Sequence, residues 1–315
     1  MSKYHTVESA HGIKATVIAY SVSPYGEELI TFELEYPRFI HSEFMTHRML
    51  SKNSASSRAI PIKAMHEHIL KYPQMPVHWG KNQPGMSAKE EVDELTKEGA
   101  KGVWMAAIDS AISHSKVLSD MGLHKQVANR ITEFAMQMKV VVSGTEWANF
   151  FHLRNHEDAD PTIKDLAETM LKALAFVTPT YMNPGDWHLP YVETLIPSFD
   201  DADQKLIYVL GDQELTLEQA KMVSASCCAQ VSYRKEDSSL EKAKMIFDKL
   251  INSQPVHASP VEHQATPIDL DASCSFEPET WENGITHVTN NGDLWSGNFR
   301  GWIQHRQLIK DHVVW

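Results

Sequence analysis

Cysteine is scarce, with Cys227, Cys228 and Cys274 the only three in 315 residues. Three thiols cannot build a disulfide framework, and two of them are neighbours whose side chains point apart on any regular element, so a reducing, cytoplasmic setting is expected. An excess of basic charge is also missing. Lys and Arg total 29 against 41 Asp and Glu, a formal charge of -12. The overall phosphate attraction behind non-specific nucleic-acid binding is therefore absent, and no nucleic-acid partner is expected. No window approaches about 18 uninterrupted apolar residues, and Met1-Ser2-Lys3-Tyr4-His5 opens no apolar run behind a basic head; neither a membrane span nor an export signal is expected. Hydrophobic residues make up 42% and charged residues 22%, which argues against disorder, collagen-like repeats and coiled coil. The length permits one large domain or two ordinary ones.

What is present reads as a mixed α/β (α+β) chain with excess helix. Ala15-Thr16-Val17-Ile18-Ala19-Tyr20 and Leu29-Ile30-Thr31-Phe32-Glu33-Leu34 are rich in strand formers and flank Pro24-Tyr25-Gly26, which predicts a hairpin. A helical pattern follows from Phe39 to Arg48, then a small polar loop from Ser51 to Ile60, then a breaker-rich excursion from Tyr72 to Gly85. Ser87-Ala88-Lys89-Glu90 is a capping-box pattern expected to open a long helix towards Leu118, with further helices over His124–Val141, Thr145–Leu153 and Pro161–Phe176. Thr216-Leu217-Glu218-Gln219 and Ser238-Ser239-Leu240-Glu241 repeat that pattern and predict helices ending near Ser232 and Ile251. Asp269 to Ser296 lacks periodicity and reads as a loop before a last helix over Phe299–Ile309.

Three polar clusters can carry chemistry. The densest runs from Thr46 to Arg58, where His47, Arg48, Asn53, Ser56, Ser57 and Arg58 combine two guanidinium forks with hydroxyls in a loop, a donor set suited to phosphate. A solvated serine-rich loop has the same composition. The second is Asn149 and Arg154, five apart on an otherwise apolar helix, facing a pocket or ending an amphipathic core helix with a dipole-complementing cation. The third is the basic run His124-Lys125-Gln126-Val127-Ala128-Asn129-Arg130, a phosphate clamp or a solvated helix face.

Taken in order, these pieces resemble the flavin-dependent thymidylate synthase family. Its Arg-His-Arg, seven residues, Ser, x, Arg signature corresponds to Thr46-His47-Arg48, the run Met49 to Ala55, then Ser56 and Arg58. Phe32 to Ile40 is similar to the strand entering that motif, Asn149-Phe150-Phe151-His152-Leu153-Arg154 to its Asn-Phe-Leu-x-Leu-Arg, and the Ala159–Ala167 segment to its Ala-Gln-x-Glu-Ile-Arg region. Cys228-Ala229-Gln230-Val231-Ser232-Tyr233 and His257-Ala258-Ser259-Pro260-Val261-Glu262-His263 resemble segments that normally precede the signature but here follow it. They lead to Gln304-His305-Arg306, which resembles a second, degenerate signature. An internal repeat or rearranged module is expected, with residues 1–180 a nucleotide-binding module and 181–315 a second, partial copy. Both would be needed for one complete site.

The resemblance implies a central, mostly antiparallel sheet with long helices and an FAD-dependent methylation of dUMP, with methylenetetrahydrofolate and NADPH as co-substrates. It implies that Ser56, Ser57, Arg58 and Arg130 hold the nucleotide phosphate and that Arg154 addresses the uracil, the catalytic role. His47, Arg48, Asn53, Asn149, His257, Ser259, His305 and Arg306 are implied as flavin contacts. A homo-oligomer, tetramer or dimer, is implied as well. Hydroxymethylation, another pyrimidine nucleotide, or a non-catalytic nucleotide-binding relative are the competing readings. Thr46, Glu43 and Ser54 replace the family's usual Arg, Gln and Glu, and Ser143 and Thr145 stand where Asn-x-Arg is common.

The chemistry agrees with the side chains. Methylation at uracil C5 proceeds through a cysteine adduct or a flavin hydride; Cys227 and Cys228 have no cationic setting and read as small buried hydrophobes. Arginine keeps its charge and directs hydrogen bonds to phosphate or carbonyl, and a preorganised cation stabilises charge developing on a uracil oxygen. His66-Glu67-His68 places two histidines on different helix faces, a poor chelate, so no metal is expected. Trp79, Trp187, Trp295 and Trp302 lie near breakers and stack on a cofactor ring or anchor loops to the core.

Overall fold

Alternation along the strands sorts one sheet into an apolar and a polar face, and the rest of the chain is arranged around that difference. The computed structural model describes residues 4–196, 206–234 and 237–314. Its six-stranded sheet has the order β1 (Thr6–Glu8), β2 (Lys14–Val22), β3 (Glu28–Pro37), β5 (Gln137–Gly144), β4 (Ser51–Ser54), with β6 (Thr180–Tyr181) also on β2. All pairings are antiparallel except β2 with β6. The hairpin expected in the first 36 residues is present, as β2 and β3.

Ile30, Phe32, Leu34 and Tyr36 of β3 and Met138, Val140 and Val142 of β5 form the apolar face. They pack on α1 (His41–Met45) through Phe44 and on two later helices, α5 (Trp147–Arg154) and α6 (Pro161–Leu174), through Trp147, Phe150, Ile163, Leu166 and Met170. Each such buried side chain contributes about 1.5–3 kcal/mol relative to exposure. The opposite face carries Thr31, Glu33 and Glu35 of β3, Gln137, Lys139 and Ser143 of β5, and Ser51 and Asn53 of β4, a polar surface in the middle of a sheet. The C-terminal half covers much of it. Tyr191 donates to Glu33 (2.8 Å), His188 meets Thr31 (2.8 Å) and Gln304 donates to Ser51 (3.2 Å).

Between β4 and β5 in the chain come α2 (Ile62–Lys71), α3 (Glu94–Asp120) and α4 (Lys125–Ala128), with α2 and α3 sharing a small core of their own through Met65, Ile69 and Ile108. Trp104 pins α3 to the excursion before it by donating Nε1–H to Gln74 O (2.9 Å) and meeting Trp79 edge-on. The C-terminal half holds the small sheet β7 (Glu193–Leu195), β8 (Ile207–Leu210), β9 (Gln213–Leu215), then α7 (Leu217–Gln230) and α8 (Leu240–Leu250). β10 (Ala265–Pro267) follows, then β11 (His287–Val288), β12 (Leu294–Ser296), β13 (Phe299–Arg300) and β14 (Trp302–Gln304). Among the described residues no helix is long and apolar enough to cross a membrane.

Several expectations need correction. The Ser87–Glu90 pattern opens no helix: Gly80 bridges Glu91, Val92 N–H donates to Trp79 O (2.9 Å), and α3 starts at Glu94 behind Asp93. The helix expected over His124–Val141 is α4, a 3-10 helix over Asn129–Ala135 and then β5, because the β-branched run Val140–Val142 alternates between the sheet's faces. The loop expected from Ser51 begins as edge strand β4, paired with β5. The expected 269–296 loop contains β11 and β12. The last helix is instead β13, a turn at Gly301 (φ 74°), β14 and a 3-10 helix over His305–Leu308. The first signature runs from α1 through a turn into β4, so the two signature segments are built differently. No internal repeat is seen among the described residues.

Candidate functional site

The loop after β4 is held from both sides before any ligand is considered. Ala55 N–H donates to Lys139 O (2.8 Å) and Ser56 N–H to Ser232 O (3.1 Å). Ser56 Oγ accepts from Arg58 N–H (3.3 Å). From below, the fully buried Asn129 donates to Ser57 O (2.8 Å) and Ile60 O (3.0 Å), and Lys125 Nζ donates to Ala59 O (2.8 Å). Ser57 Oγ donates to Glu133 (2.5 Å), which also takes Arg130 (3.0 Å) and Arg38 (2.9 Å). One braced loop thus carries Ser56, Ser57 and Arg58, with Arg130 tied to it through Glu133.

This loop forms one wall of a cleft of about 710 Å³. Asn53, Ser56, Arg58 and Lys125 line one side, and His257, Ser259 and Pro260 the other. The Arg58 guanidinium has no partner among the described residues. Residues over two hundred positions apart therefore share a single cavity, and the helix that joins them to the sheet, a 3-10 helix over Ser259–His263, lies along β4.

At the other end of that contact a second cleft of about 590 Å³ opens, lined by Arg48, Ser51, Glu262, Asn298, Gln304 and Arg306 among others. Arg306 is ion-paired with Glu262. Its floor is amide-rich: Gln304 Nε2 donates to Asn298 Oδ1 (2.8 Å) and Glu262 O (3.0 Å), and Asn298 Nδ2 to Met49 O (3.0 Å). Arg48 is exposed and unpaired among the described residues.

Arg154 lies elsewhere, at the C-terminus of α5, beside a shallow cleft with His152, His156 and Asp158. Its Nε donates to His47 Nε2 (2.9 Å) and its Nη2 to Thr46 Oγ1 (3.3 Å), with Glu43 at 4.0 Å from Nη1. Thr46 and Glu43, which replace the family's Arg and Gln, thus both meet the same guanidinium. A guanidinium does not give up its proton, so His47 accepts at Nε2 and carries its own proton on Nδ1. Burial, then the charges of Arg154 and Lys52, bring the His47 pKa down to about 4. Within one chain Arg154 does not line the cleft of Arg58.

Three implied flavin residues, His47, Asn149 and His305, line neither the larger nor the second cleft. Asn149 is exposed on α5. His305 is buried, bonded to Gln264 Oε1 (2.7 Å) and edge-on to Trp187, and burial brings its pKa down to about 3. Lys125 and Lys52 are not singled out as site residues by the sequence. Lys125 stands in the basic run read for Arg130, and its place on the cleft wall follows only from the turn into α4. Lys52 donates to His47 O (2.5 Å) and Leu50 O (3.0 Å), fixing the turn that carries His47 and Arg48; burial brings its pKa down to about 8. Cys228 is buried and its thiol is pushed well up, chiefly by desolvation. Trp302 is fully buried, and Trp187 and Trp295 nearly so, as loop anchors.

Residues 8–180, which contain the signature loop, α5 and α6, match the family model described as thymidylate synthase complementing protein. The chain belongs to this family. No curated protein matches it. Among solved structures the chain is similar to the UMP/dUMP methylase PolB from Streptomyces cacaoi bound with 5-Br UMP, at 18% identity over 54% of this chain and 91% of that one, with a TM-score of 0.45. The same enzyme bound with 5-Br dUMP gives 17% identity, 54% and 92% coverage and a TM-score of 0.42. The matched segment supplies one wall of the larger cleft; His257 and Ser259 on the other wall lie beyond it.

Proposed function

We propose that this protein is a pyrimidine nucleotide methyltransferase that takes dUMP to dTMP, with FAD as cofactor and methylenetetrahydrofolate and NADPH as co-substrates. One observation carries the reading: the Arg58 guanidinium, which has no partner among the described residues, Ser56 and Lys125 converge on one cleft opposite His257 and Ser259. A nucleoside monophosphate is the right charge and size for that donor set. Arg58 and Lys125 supply charge, and Ser56 supplies a hydroxyl on a loop already stiffened by Asn129, so little ordering cost accompanies binding. Arg130, engaged by Glu133, supports the loop and contributes field rather than a free fork.

The second cleft fits the diphosphate of a flavin dinucleotide. It offers Arg48 without a competing acid, Arg306, and an amide floor that can pair with a heterocycle edge. Arg48 and Arg306 would hold the diphosphate, with Asn53, His257 and Ser259 across β4. When bound, the flavin supplies the hydride that no side chain can. The chain's own task is to bind and polarise. Arg154, with Nε and Nη2 already set by His47 and Thr46, presents Nη1 to a uracil oxygen, where it stabilises developing negative charge.

Because Arg154 and Arg58 open onto different surfaces of one chain, we place the uracil contact in a second copy, as a homo-oligomer. Leu95, Val103, Val117 and Met121 along α3 are 54–86% exposed, an apolar row that supports such an assembly. The test is direct. The purified protein should show a flavin absorbance spectrum, and incubation with dUMP, methylenetetrahydrofolate and NADPH should add 14 mass units, about one CH2, to the nucleotide. A gain of a hydroxymethyl group, or turnover of UMP alone, would move the assignment to a different product or substrate. A colourless protein with no affinity for flavin would leave a nucleotide-binding relative without this chemistry.

A further inference from the structure

Five polar side chains form one buried file across the sheet. Ser21 Oγ lies 2.8 Å from His188 Nδ1, and His188 Nε2 2.8 Å from Thr31 Oγ1. Thr31 Oγ1 lies 2.6 Å from Ser143 Oγ, and Ser143 Oγ 2.9 Å from His263 Nδ1. All five are at most 1% exposed. Ser21, Thr31 and Ser143 belong to β2, β3 and β5, whereas His188 and His263 come from the C-terminal half, so the file stitches the two halves together.

The protons in this file can be placed. Burial brings the pKa of His188 and of His263 down to about 3, so both rings are neutral at ordinary pH, each with one donor and one acceptor. His263 Nε2 is buried and has no partner among the described residues. A buried N–H without an acceptor is rarer and costlier than a lone pair without a donor. His263 therefore keeps its proton on Nδ1 and donates to Ser143. The direction propagates: Ser143 donates to Thr31, Thr31 to His188 Nε2, and His188 Nδ1–H to Ser21.

His263 closes the 3-10 helix whose Ser259 lines the larger cleft and whose Glu262 lines the second. We infer that His263 is a positioning residue: its Nδ1–H bond to Ser143 seats this helix on the sheet and thereby sets Ser259 and Glu262 at the two clefts. The inference rests on the proposed nucleotide cleft for its functional readout, and its structural readout is independent of any ligand. Ser143 stands beside Ser51 in the β5–β4 register, which puts the anchoring hydroxyl directly behind the strand the helix lies on.

Three substitutions separate this role from simple core filling. In His263→Asn the side-chain amide reaches the place of Nδ1 and can still donate to Ser143. In His263→Gln the amide falls at the place of Nε2, and His263→Leu has no donor. The KM for dUMP should rise about tenfold in the Gln and Leu variants, the loss of one buried hydrogen bond, and stay within about threefold of the parent in the Asn variant. Amide exchange over residues 259–264 should quicken in the same two variants only. Equal effects in all three, or none, overturn the inference. Nitrogen-15 spectra of the unmodified protein must show His263 as the Nδ1–H tautomer; an Nε2–H signal overturns it even where a variant fails to fold. Absence of dUMP binding in the unmodified protein sinks the cleft reading, while the exchange and tautomer results still decide the role of His263.

Discussion

Four arginines carry the functional reading, and their partners, more than their positions, divide their roles. Arg58 and Arg48 have guanidinium groups without a partner among the described residues, Arg130 is spent on Glu133 at 3.0 Å, and Arg154 leans on His47 at 2.9 Å. A charge-assisted bond from a free fork to phosphate is worth about 1.5–3 kcal/mol. Replacing Arg58 with Ala should therefore weaken dUMP binding by about 10–100-fold, most at low salt. Arg130→Ala should cost less than about fivefold, since Glu133 also holds Ser57 and Arg38 and the loop stays braced. Isothermal titration of both variants decides it; the reverse order would mean that Arg130 leaves Glu133 to grip the ligand. Much at this scale was legible. The order of Thr46-His47-Arg48, Ser56, Arg58 and Asn149 to Arg154 is a linear signal; of these, Arg48, Ser56 and Arg58 line the two larger clefts, whereas Thr46, His47 and Asn149 do not and Arg154 lines a separate one. Lys125 was not legible as a cleft residue, because a lysine four residues before the buried helix residue Asn129 looks like any solvated cation until Asn129 is seen holding the loop. Nor was His305, whose signature-like neighbours suggested a cofactor contact and whose burial against Gln264 and Trp187 comes from the hairpin around it.

Helix boundaries show how local signals lose to tertiary ones. The pattern Ser87 to Glu90 has the residues of a capping box, but those residues are drawn into a bridge with Gly80 and Trp79, and α3 starts seven residues after Ser87 where Asp93 Oδ1 accepts from Thr96 N–H (3.0 Å) and Oδ2 from its hydroxyl (2.8 Å). Thr216 meets no such competition and forms its box with Gln219 as written. Central strand β5 was mistaken for helix because every one of its side chains is buried, so the period of two that marks a half-exposed strand is invisible in hydropathy. Helix α3 makes a test of the cap itself. Of its 27 residues only Ile108 and Ser115 are buried, and Gly99 and Gly102 weaken its first turns. Tertiary contacts thus do little for the N-terminal end, and Asp93→Ala should cost about 1 kcal/mol there. Hydrogen exchange should quicken over residues 94–100 while β3 and β5 stay protected. Uniform loss of protection would show that α3 and the sheet unfold as one unit.

At the scale of the molecule, one polar sheet face decides both stability and assembly. Covering that face brings His188 and His263 into the core, and packing elsewhere buries further rings in their neutral form: the pKa of His41, His47 and His68 falls to about 4, and that of His188, His263 and His305 to about 3, burial being the main cause in each. An unfolded chain takes protons on these groups near pH 6.5, where the native chain cannot, so stability is full above about 6.5 and falls as pH drops. At about 1.4 kcal/mol per pH unit and group, the three almost wholly buried rings His188, His263 and His305 alone forfeit an amount comparable to the 5–15 kcal/mol typical of a domain by about pH 4, with a smaller, solvent-screened share from the other three, so urea or thermal midpoints should fall steeply between about pH 5.5 and 4. A flat profile there would mean the rings are hydrated. The same face bears on assembly. The sequence suggests that both halves of the chain contribute to one site; the structure shows no internal repeat among the described residues, brings His257 and Ser259 of the C-terminal half opposite Arg58 in cis, and leaves Arg154 on another surface. If the uracil contact comes from a neighbouring copy, Arg58→Ala and Arg154→Ala each inactivate a different half of one composite site. Mixed after mild dissociation and reassembly, two inactive variants should then regain about a quarter of the parental rate, the share of random pairings that carry both intact residues. No recovery from a mixture shown by mass to contain both chains would place the two arginines in one protomer's site, and Arg154 would have to reach Arg58's cleft by a movement of α5.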